Sequence, residues 1–248
     1  MQSGDYFTTR ATIRKFSDRE VPEALVEETV RRAMKAPTTG NMQLYSVIET
    51  RDPEHRKALA EQHFNQPAST GCQLMLTVCA DFNRFTRWCT INHADAGFDN
   101  LLSYQTAVTD AIIFAQQLTT LLEMQGLGVC WLGTVTYNAD KISDLLGLPT
   151  LTVPVACLAV GWPEEGGEPT ERLGVEAVLH RETYRQDSDE KIVELFRPKD
   201  DYAPNQKFIA ENGKENLAQV FAEVRYPREM NESFSKSFLQ LLKDKKFI

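Results

Sequence analysis

Arg10 and Arg14 stand four residues apart with Thr12 between them, and the stretch Ala36-Pro37-Thr38-Thr39-Gly40-Asn41-Met42-Gln43 follows further along the chain. A guanidinium is permanently charged and offers forked donors, so two of them flanking a hydroxyl suit a dianionic phosphate. The alternative is a solvated, salt-bridged N-terminal segment, since surface arginine is the usual case. In the second stretch, Thr38, Thr39 and Asn41 lie just past a helix-breaking proline. They offer hydroxyl and amide groups to a ligand with many hydrogen-bonding edges, and little to a core. Other reactive side chains are scattered. His55, His63, His93 and His180 lack metal-ligand spacing, and no Gly-x-Ser-x-Gly elbow is present. Cys72, Cys79, Cys89, Cys130 and Cys157 form no CxxC pair, and four of them lie in or beside apolar runs, so they read as small buried hydrophobes. Asp110, inside an apolar helical pattern, reads as a buried polar anchor without a catalytic role. No metal site is expected, so any redox chemistry must come from a bound cofactor.

The elements that would position these residues are marked by periodicity. Leu25, Val26, Thr29, Val30, Ala33 and Met34 recur at helical spacing between Pro22 and Pro37, with Ser17-x-x-Glu20 as a displaced capping box. Residues 44–50 read as a strand and 53–63 as a short polar helix. Residues 73–82 form a near-continuous apolar run, as in a strand buried on both faces. A long helix is expected over 101–125, with Tyr104, Val108, Ala111, Ile112, Ala115, Leu118 and Leu122 as its core stripe. Ile113, Phe114 and Leu121 widen its apolar surface, which points to burial between layers or in a subunit interface. Residues 129–134 and 152–160 read as strands, 138–146 as a helix and 161–169 as a loop. Gly126-x-Gly128 follows a helix and opens a strand, the reverse of a dinucleotide-binding turn, so a Rossmann reading fails. Beyond Tyr184 the chain is polar and mostly helical. Strands separated by helices place the protein in the α/β class in the broad sense.

Bulk properties narrow the function classes. A chain of 248 residues with 42% hydrophobic and 25% charged residues has the composition of an ordinary globular protein. It can bury roughly three-quarters of its unfolded surface. The formal net charge of −8 argues against sequence-independent nucleic-acid binding, which needs a basic face. The start Met1-Gln2-Ser3-Gly4-Asp5-Tyr6 shows no basic residue followed by an apolar run, so no secretory leader is expected. With no apolar run of about eighteen residues, a cytoplasmic location is the expectation.

Taken in order, Arg10 and Arg14, the Ala36–Gln43 stretch, Gly126-Leu127-Gly128-Val129-Cys130-Trp131-Leu132-Gly133-Thr134, Val160-Gly161-Trp162-Pro163 and Glu171-Arg172-Leu173-Gly174 resemble the FMN-dependent nitroreductase family. Within it, the set is most similar to the branch of oxygen-insensitive nitroreductases and NADPH–flavin oxidoreductases. The resemblance runs from about Arg10 to about Tyr184.

It implies an α+β, three-layer fold with a central mixed sheet flanked by helices, dimeric, with FMN at the subunit interface. It divides the chain into an FMN-binding core, residues 1–184, and a C-terminal helical extension, residues 185–248, packed on the core or on the partner subunit. It implies that Arg10 and Arg172 hold the FMN phosphate, with Thr12 beside them. Arg14 reaches either phosphate and ribityl or the pyrimidine edge. Thr38, Thr39 and Asn41 meet the pyrimidine side or the ribityl hydroxyls, and Gln66 bonds the amide edge of the ring. Trp131, Leu132, Gly133 and Thr134 lie along the ring, where glycine lets a backbone N–H approach N5. Two positions depart from the branch pattern: Thr170 stands where lysine is frequent, and Arg10 where histidine is frequent.

The activity implied is FMN-dependent NAD(P)H oxidation with ping-pong hydride transfer through flavin N5 to nitroaromatics, quinones or similar electron-poor acceptors. The donor, NADPH or NADH, stays open. Lys207, Lys214, Arg225 and Arg228 would either contact an adenosine phosphate or form solvated helix faces. The rival readings are an NAD(P)H–flavin reductase and a non-catalytic FMN-binding module.

Overall fold

A computed structural model describes residues 3–248. Met1 and Gln2, which open the segment considered for a leader, lie outside the described residues. The elements in chain order are α1 (Ser3–Thr9), α2 (Glu23–Ala33), β1 (Tyr45–Thr50), α3 (Pro53–Gln62), α4 (Pro67–Gly71), β2 (Leu74–Asp81), α5 (Asn83–Ile91), α6 (Leu101–Met124), β3 (Gly128–Trp131), α7 (Ala139–Leu145), β4 (Thr152–Gly161), α8 (Asp189–Asp200), α9 (Ala203–Glu211), α10 (Leu217–Gln219) and α11 (Arg228–Asp244). The chain divides into two compact units, residues 1–168 together with 234–248, and residues 169–233.

The first unit is built on a four-stranded sheet in the order β1-β2-β4-β3. All three pairings are antiparallel, so among the described residues the sheet is not mixed. β2 is buried along its whole length, which explains its uninterrupted apolar sequence. Its alternate side chains serve two cores. Leu74, Leu76 and Val78 face Phe114, Leu118 and Leu122 of α6 together with Val26 and Ala33 of α2. Met75 joins Leu59 of α3, Ile142 of α7 and Cys157 and Ala159 of β4 on the other side. The period of two along the strand thus produces helix, sheet and helix layers.

Helix α6 starts where the Asn100 side chain accepts from the Ser103 amide, and it stops before Gly126, whose φ of 87° suits a residue without Cβ. Its stripe is rotated from the sequence expectation. Phe114 is fully buried and stacks on Tyr45 at 4.3 Å, whereas Ile112 is 37% exposed. An aromatic partner on β1 decides which apolar residue turns inward. Helix α2 begins after Pro22 without a side-chain cap, so Ser17 and Glu20 form no capping box. The strand at 128 ends at Trp131 rather than running to Thr134, and residues Gly133–Thr136 form a 3-10 turn.

In the second unit α8, α9 and α10 are followed by a π-helical turn, Val220–Arg225. Ile209, Leu217 and Val220 make its small core. Leu241, Leu242 and Phe247 near the chain's end belong to the first unit, where they pack with Leu44, Phe82 and Tyr104.

Candidate functional site

Residues 11–17 are strapped along the end of the sheet by their backbone. Ile13 N–H donates to the Val129 carbonyl at 3.3 Å, Phe16 bridges Pro163, and Ser17 N–H donates to the Trp162 carbonyl at 2.9 Å. A Cβ on Gly128 would lie 2.6 Å from the Ile13 side chain, so only glycine permits this approach. The motif around Trp162 is therefore structural. Its indole N–H donates to the Glu20 carbonyl at 3.0 Å, and the Arg19 guanidinium lies 3.7 Å from the ring centroid.

This strapping brings Arg10, Thr12 and Arg14 to a cavity of about 580 Å³ that Ile112, Gln116, Cys130 and Trp131 also line. The two arginines are not equivalent. Arg10 donates from Nε and Nη2 to the Glu123 carboxylate at 3.2 and 3.0 Å, and from Nη1 to the Thr12 hydroxyl at 3.2 Å. Tyr6 donates to the same carboxylate at 2.5 Å. Burial, and next the bond to Glu123, push the Tyr6 phenol up from its ordinary value. Arg14 is exposed and has no hydrogen bond or ion pair among the described residues. Its charge is the one left over for an anion. Burial raises the Cys130 thiol while Arg14 and Arg10 pull it down, so both guanidiniums act on this cavity wall.

The neighbouring segment carries the donors. Leu132 is buried and its N–H donates to the Cys157 carbonyl at 2.8 Å, so its side chain serves the core. Trp131 donates from Nε1 to the Thr119 hydroxyl at 2.9 Å. Gly133 is exposed. Among the described residues neither the Gly133 nor the Thr134 N–H has an acceptor, as expected for the first amides of a helical turn. The Thr134 hydroxyl lies 2.9 Å from His63 Nδ1 and receives Gln66 Nε2 at 3.3 Å, so Gln66 and Thr134 are brought together.

Thr38 and Thr39 are engaged elsewhere. Thr38 Oγ1 donates to Asp110 at 2.5 Å, and Thr39 donates from N and Oγ1 at 2.9 and 2.8 Å. Asp110, 1% exposed, thus organises the loop that carries them. Asn41 is exposed on that loop with a left-handed φ of 56°.

Arg172 belongs to the second unit. It is exposed and donates from Nη1 to the Thr170 hydroxyl at 2.5 Å and to the Thr170 and Glu171 carbonyls, so Thr170 and Arg172 act as one group. With Phe196, Lys199 and Phe221 they line a cavity of about 420 Å³ within that unit. The four cations considered for an adenosine phosphate have local partners. Lys207 pairs with Glu211, Lys214 with Glu223 and Arg228 with Glu232, while Arg225 lies over Phe208.

All five cysteines are free, and burial pushes Cys72 up to about 11 and Cys157 to about 12. Cys72 and Cys157 are thiols, not nucleophilic thiolates. Among the described residues no His, Cys, Asp or Glu group could hold a metal, and no helix is long and apolar enough to cross a membrane. Glu123, Tyr6 and His63 went unrecognised in the sequence. The only local signal was Glu123 itself, one of two carboxylates in α6, near its end.

An arrangement with one uncommitted guanidinium, a second held in place by a carboxylate, and two unpaired amides suits an anionic ligand with acceptor edges. Comparison with known proteins agrees. The Nitroreductase family profile matches residues 7–162. The chain is 29% identical over 181 residues to a Bacillus subtilis protein named FMN reductase (NADPH), covering 72% of this chain and 73% of that one. It is 30% identical over 185 residues to a Salmonella typhimurium protein named oxygen-insensitive NADPH nitroreductase, covering 75% of each. A crystal structure from Bacteroides fragilis is 40% identical, with a TM-score of 0.96 over 98% of this chain and 99% of that one.

Proposed function

The chain belongs to the nitroreductase family, and from that premise we infer that the cavity beside Arg10, Thr12 and Arg14 receives the phosphate end of a flavin. The protein is an FMN-dependent NAD(P)H oxidoreductase, in line with its similarity to an FMN reductase and to an NADPH nitroreductase. The chemistry FMN supplies when bound is hydride transfer from a nicotinamide and onward to an electron-poor acceptor such as a nitroaromatic or quinone.

The residues present fit that group. Arg14 supplies an unpaired charge for the phosphate, and Arg10, fixed by Glu123, adds forked donors beside the Thr12 hydroxyl. The unpaired amides of Gly133 and Thr134 supply donors for the acceptor edge of the ring, and Gly133 has open space where a Cβ would stand. Trp131 and Leu132 hold this segment in place through Thr119 and Cys157. Gln66 serves the ring edge. Arg172, with Thr170 bound to it, offers phosphate donors within the second unit. Thr38, Thr39 and Asn41 serve by the position of their loop, because Asp110 already occupies the two hydroxyls.

The assembly in this reading is a cytoplasmic homodimer whose subunits meet over the exposed Phe7, Ile112 and Ile113, which line one shallow surface cavity. Residues 1–184 carry the proposed flavin-binding groups and 185–248 are the extension, of which 234–248 belong to the first unit.

The observation that carries the reading is the uncommitted Arg14 guanidinium beside the fixed Arg10. Its test is a visible spectrum of the purified protein, followed by anaerobic addition of NADPH and then NADH. Flavin bands that bleach with a donor support the oxidoreductase and identify its nicotinamide. Bands that persist would make the protein a flavin binder without nicotinamide oxidation, and failure to bind added FMN would overturn the reading. The name of the Bacillus subtilis relative also favours free flavin as an acceptor, which turnover with FMN as substrate would reveal.

A further inference from the structure

His63 ends helix α3, and its ring is fully buried. Nδ1 lies 2.9 Å from the Thr134 hydroxyl, while Nε2 is buried with no partner among the described residues. That asymmetry selects a tautomer. A proton on Nε2 would be a buried donor without an acceptor. A proton on Nδ1 makes one good hydrogen bond and leaves only a bare lone pair inside, the less costly arrangement. Burial lowers the basicity of His63 to about 4, so the ring stays neutral near pH 7.

With Nδ1–H donating, the Thr134 oxygen accepts twice, from His63 and from Gln66 Nε2 at 3.3 Å. A hydroxyl has two acceptor positions and one proton. Both positions are filled, so its proton must be donated, and no acceptor among the described residues takes it. Thr134 is half-buried beside the exposed Gly133.

We propose that the Thr134 hydroxyl is an obligate hydrogen-bond donor to an acceptor atom on the ring edge of the bound flavin, and that His63 is the positioning residue that forces this direction. The proposal rests on the flavin reading above. It adds a side-chain donor next to the backbone amides, with its polarity set from behind by a buried imidazole. Serine or threonine hydroxyls usually rotate to suit their surroundings; this one has a single direction left.

Three variants and two readouts test it. Thr134→Val keeps the shape and removes the donor. His63→Leu removes the ring that fills one acceptor position, and His63→Asn places an amide N–H near the Nδ1 position. Long-range ¹H–¹⁵N spectra of the flavin-free protein should show the neutral Nδ1–H tautomer; an Nε2–H tautomer overturns the proposal. In flavin titrations Thr134→Val should weaken FMN binding by about three- to tenfold, the range of one net hydrogen bond, and should shift the bound flavin's midpoint potential. His63→Leu should show both effects, His63→Asn should restore both towards wild type, and the Thr134→Val/His63→Leu double variant should be no worse than Thr134→Val. Additive losses, or an unchanged potential in Thr134→Val, would overturn the proposal. Thermal melts separate these effects from unfolding. If wild type binds no FMN, the flavin reading is what fails. If wild type binds it and Thr134→Val binds it equally well, only this inference fails.

Discussion

Replacing Arg14 by alanine should weaken flavin binding while leaving the fold untouched, and replacing Arg10 should damage both. Arg14 is exposed and makes no hydrogen bond or ion pair among the described residues, so its loss removes nothing that holds the chain together. Flavin-free stability should stay within about 0.5 kcal/mol of wild type. A charge-assisted hydrogen bond to phosphate contributes about 1.5–3 kcal/mol, so the FMN dissociation constant should rise roughly 10- to 150-fold. Arg10 differs because removing it strips the Glu123 side chain, 8% exposed, of its cationic partner. Breaking a fully buried pair costs about 3–5 kcal/mol. Since the Arg10 side chain is itself 28% exposed, water offsets part of that, and about 1–3 kcal/mol is the expected loss for Arg10→Ala.

Urea melts of the flavin-free variants give the stability axis, and titration of FMN quenching gives the binding axis. An Arg10→Ala/Glu123→Ala double variant should recover part of the stability, because no unpaired buried carboxylate remains, yet stay defective in binding. Raising the salt concentration should narrow the gap between Arg14→Ala and wild type, since an exposed charge is screened. The reasoning is refuted if Arg14→Ala binds FMN as wild type does. It is refuted equally if Arg10→Ala is as stable as Arg14→Ala.

Three further outcomes follow from single contacts. Asp110→Asn removes a carboxylate that accepts from Thr38 and Thr39 inside a buried environment; a loss of about 2–4 kcal/mol is expected in chemical melts, together with faster proteolysis of the 38–43 loop, and a melt within error of wild type would contradict the anchoring role. Gly128→Ala forces a Cβ to within 2.6 Å of Ile13; about 1–3 kcal/mol of destabilisation and weaker FMN binding should appear together, and either without the other would show that residues 11–17 are not strapped as described. His63 gives a pH signature of known sign. Its basicity is lowered to about 4 from 6.5 by burial, so above pH 6.5 the ring is neutral in both states, while below it the unfolded chain takes up a proton the folded one refuses. Stability relative to His63→Asn should therefore fall as pH drops from 6.5 to 4, by up to ~3 kcal/mol; parallel stability curves for the two proteins across that window would remove the basis for a neutral buried ring.

What could be read from the chain and what could not divide along the range of the interactions. The fully apolar run of β2, the long helix ending at Gly126 and the Arg10-Thr12-Arg14 cluster are local patterns, and each marks the element or cavity wall that the structure shows. Ile112 and Phe114 were exchanged because a helix apolar on most sides gives no internal measure of which direction is inward; Tyr45 on β1 supplies it. The strand at 128 read as longer because Leu132 is buried and keeps its bond to the Cys157 carbonyl, so its pattern continues past the last regular pair at Trp131.

The polar partners were invisible for a stricter reason. Arg10 and Glu123 are 113 residues apart, Thr39 and Asp110 71, and His63 and Thr134 71. No periodicity links such pairs, and each member taken alone has a duller explanation. Yet these pairs decide which donors remain free. Glu123 commits Arg10 and leaves Arg14 without a partner among the described residues, Asp110 commits the hydroxyls of Thr38 and Thr39, and His63 and Gln66 both meet the Thr134 hydroxyl. The sequence supplies a surplus of groups able to bind a flavin. The fold satisfies the rest internally, so in the proposed flavin site the groups left to bind are set in part by residues that would not touch the cofactor.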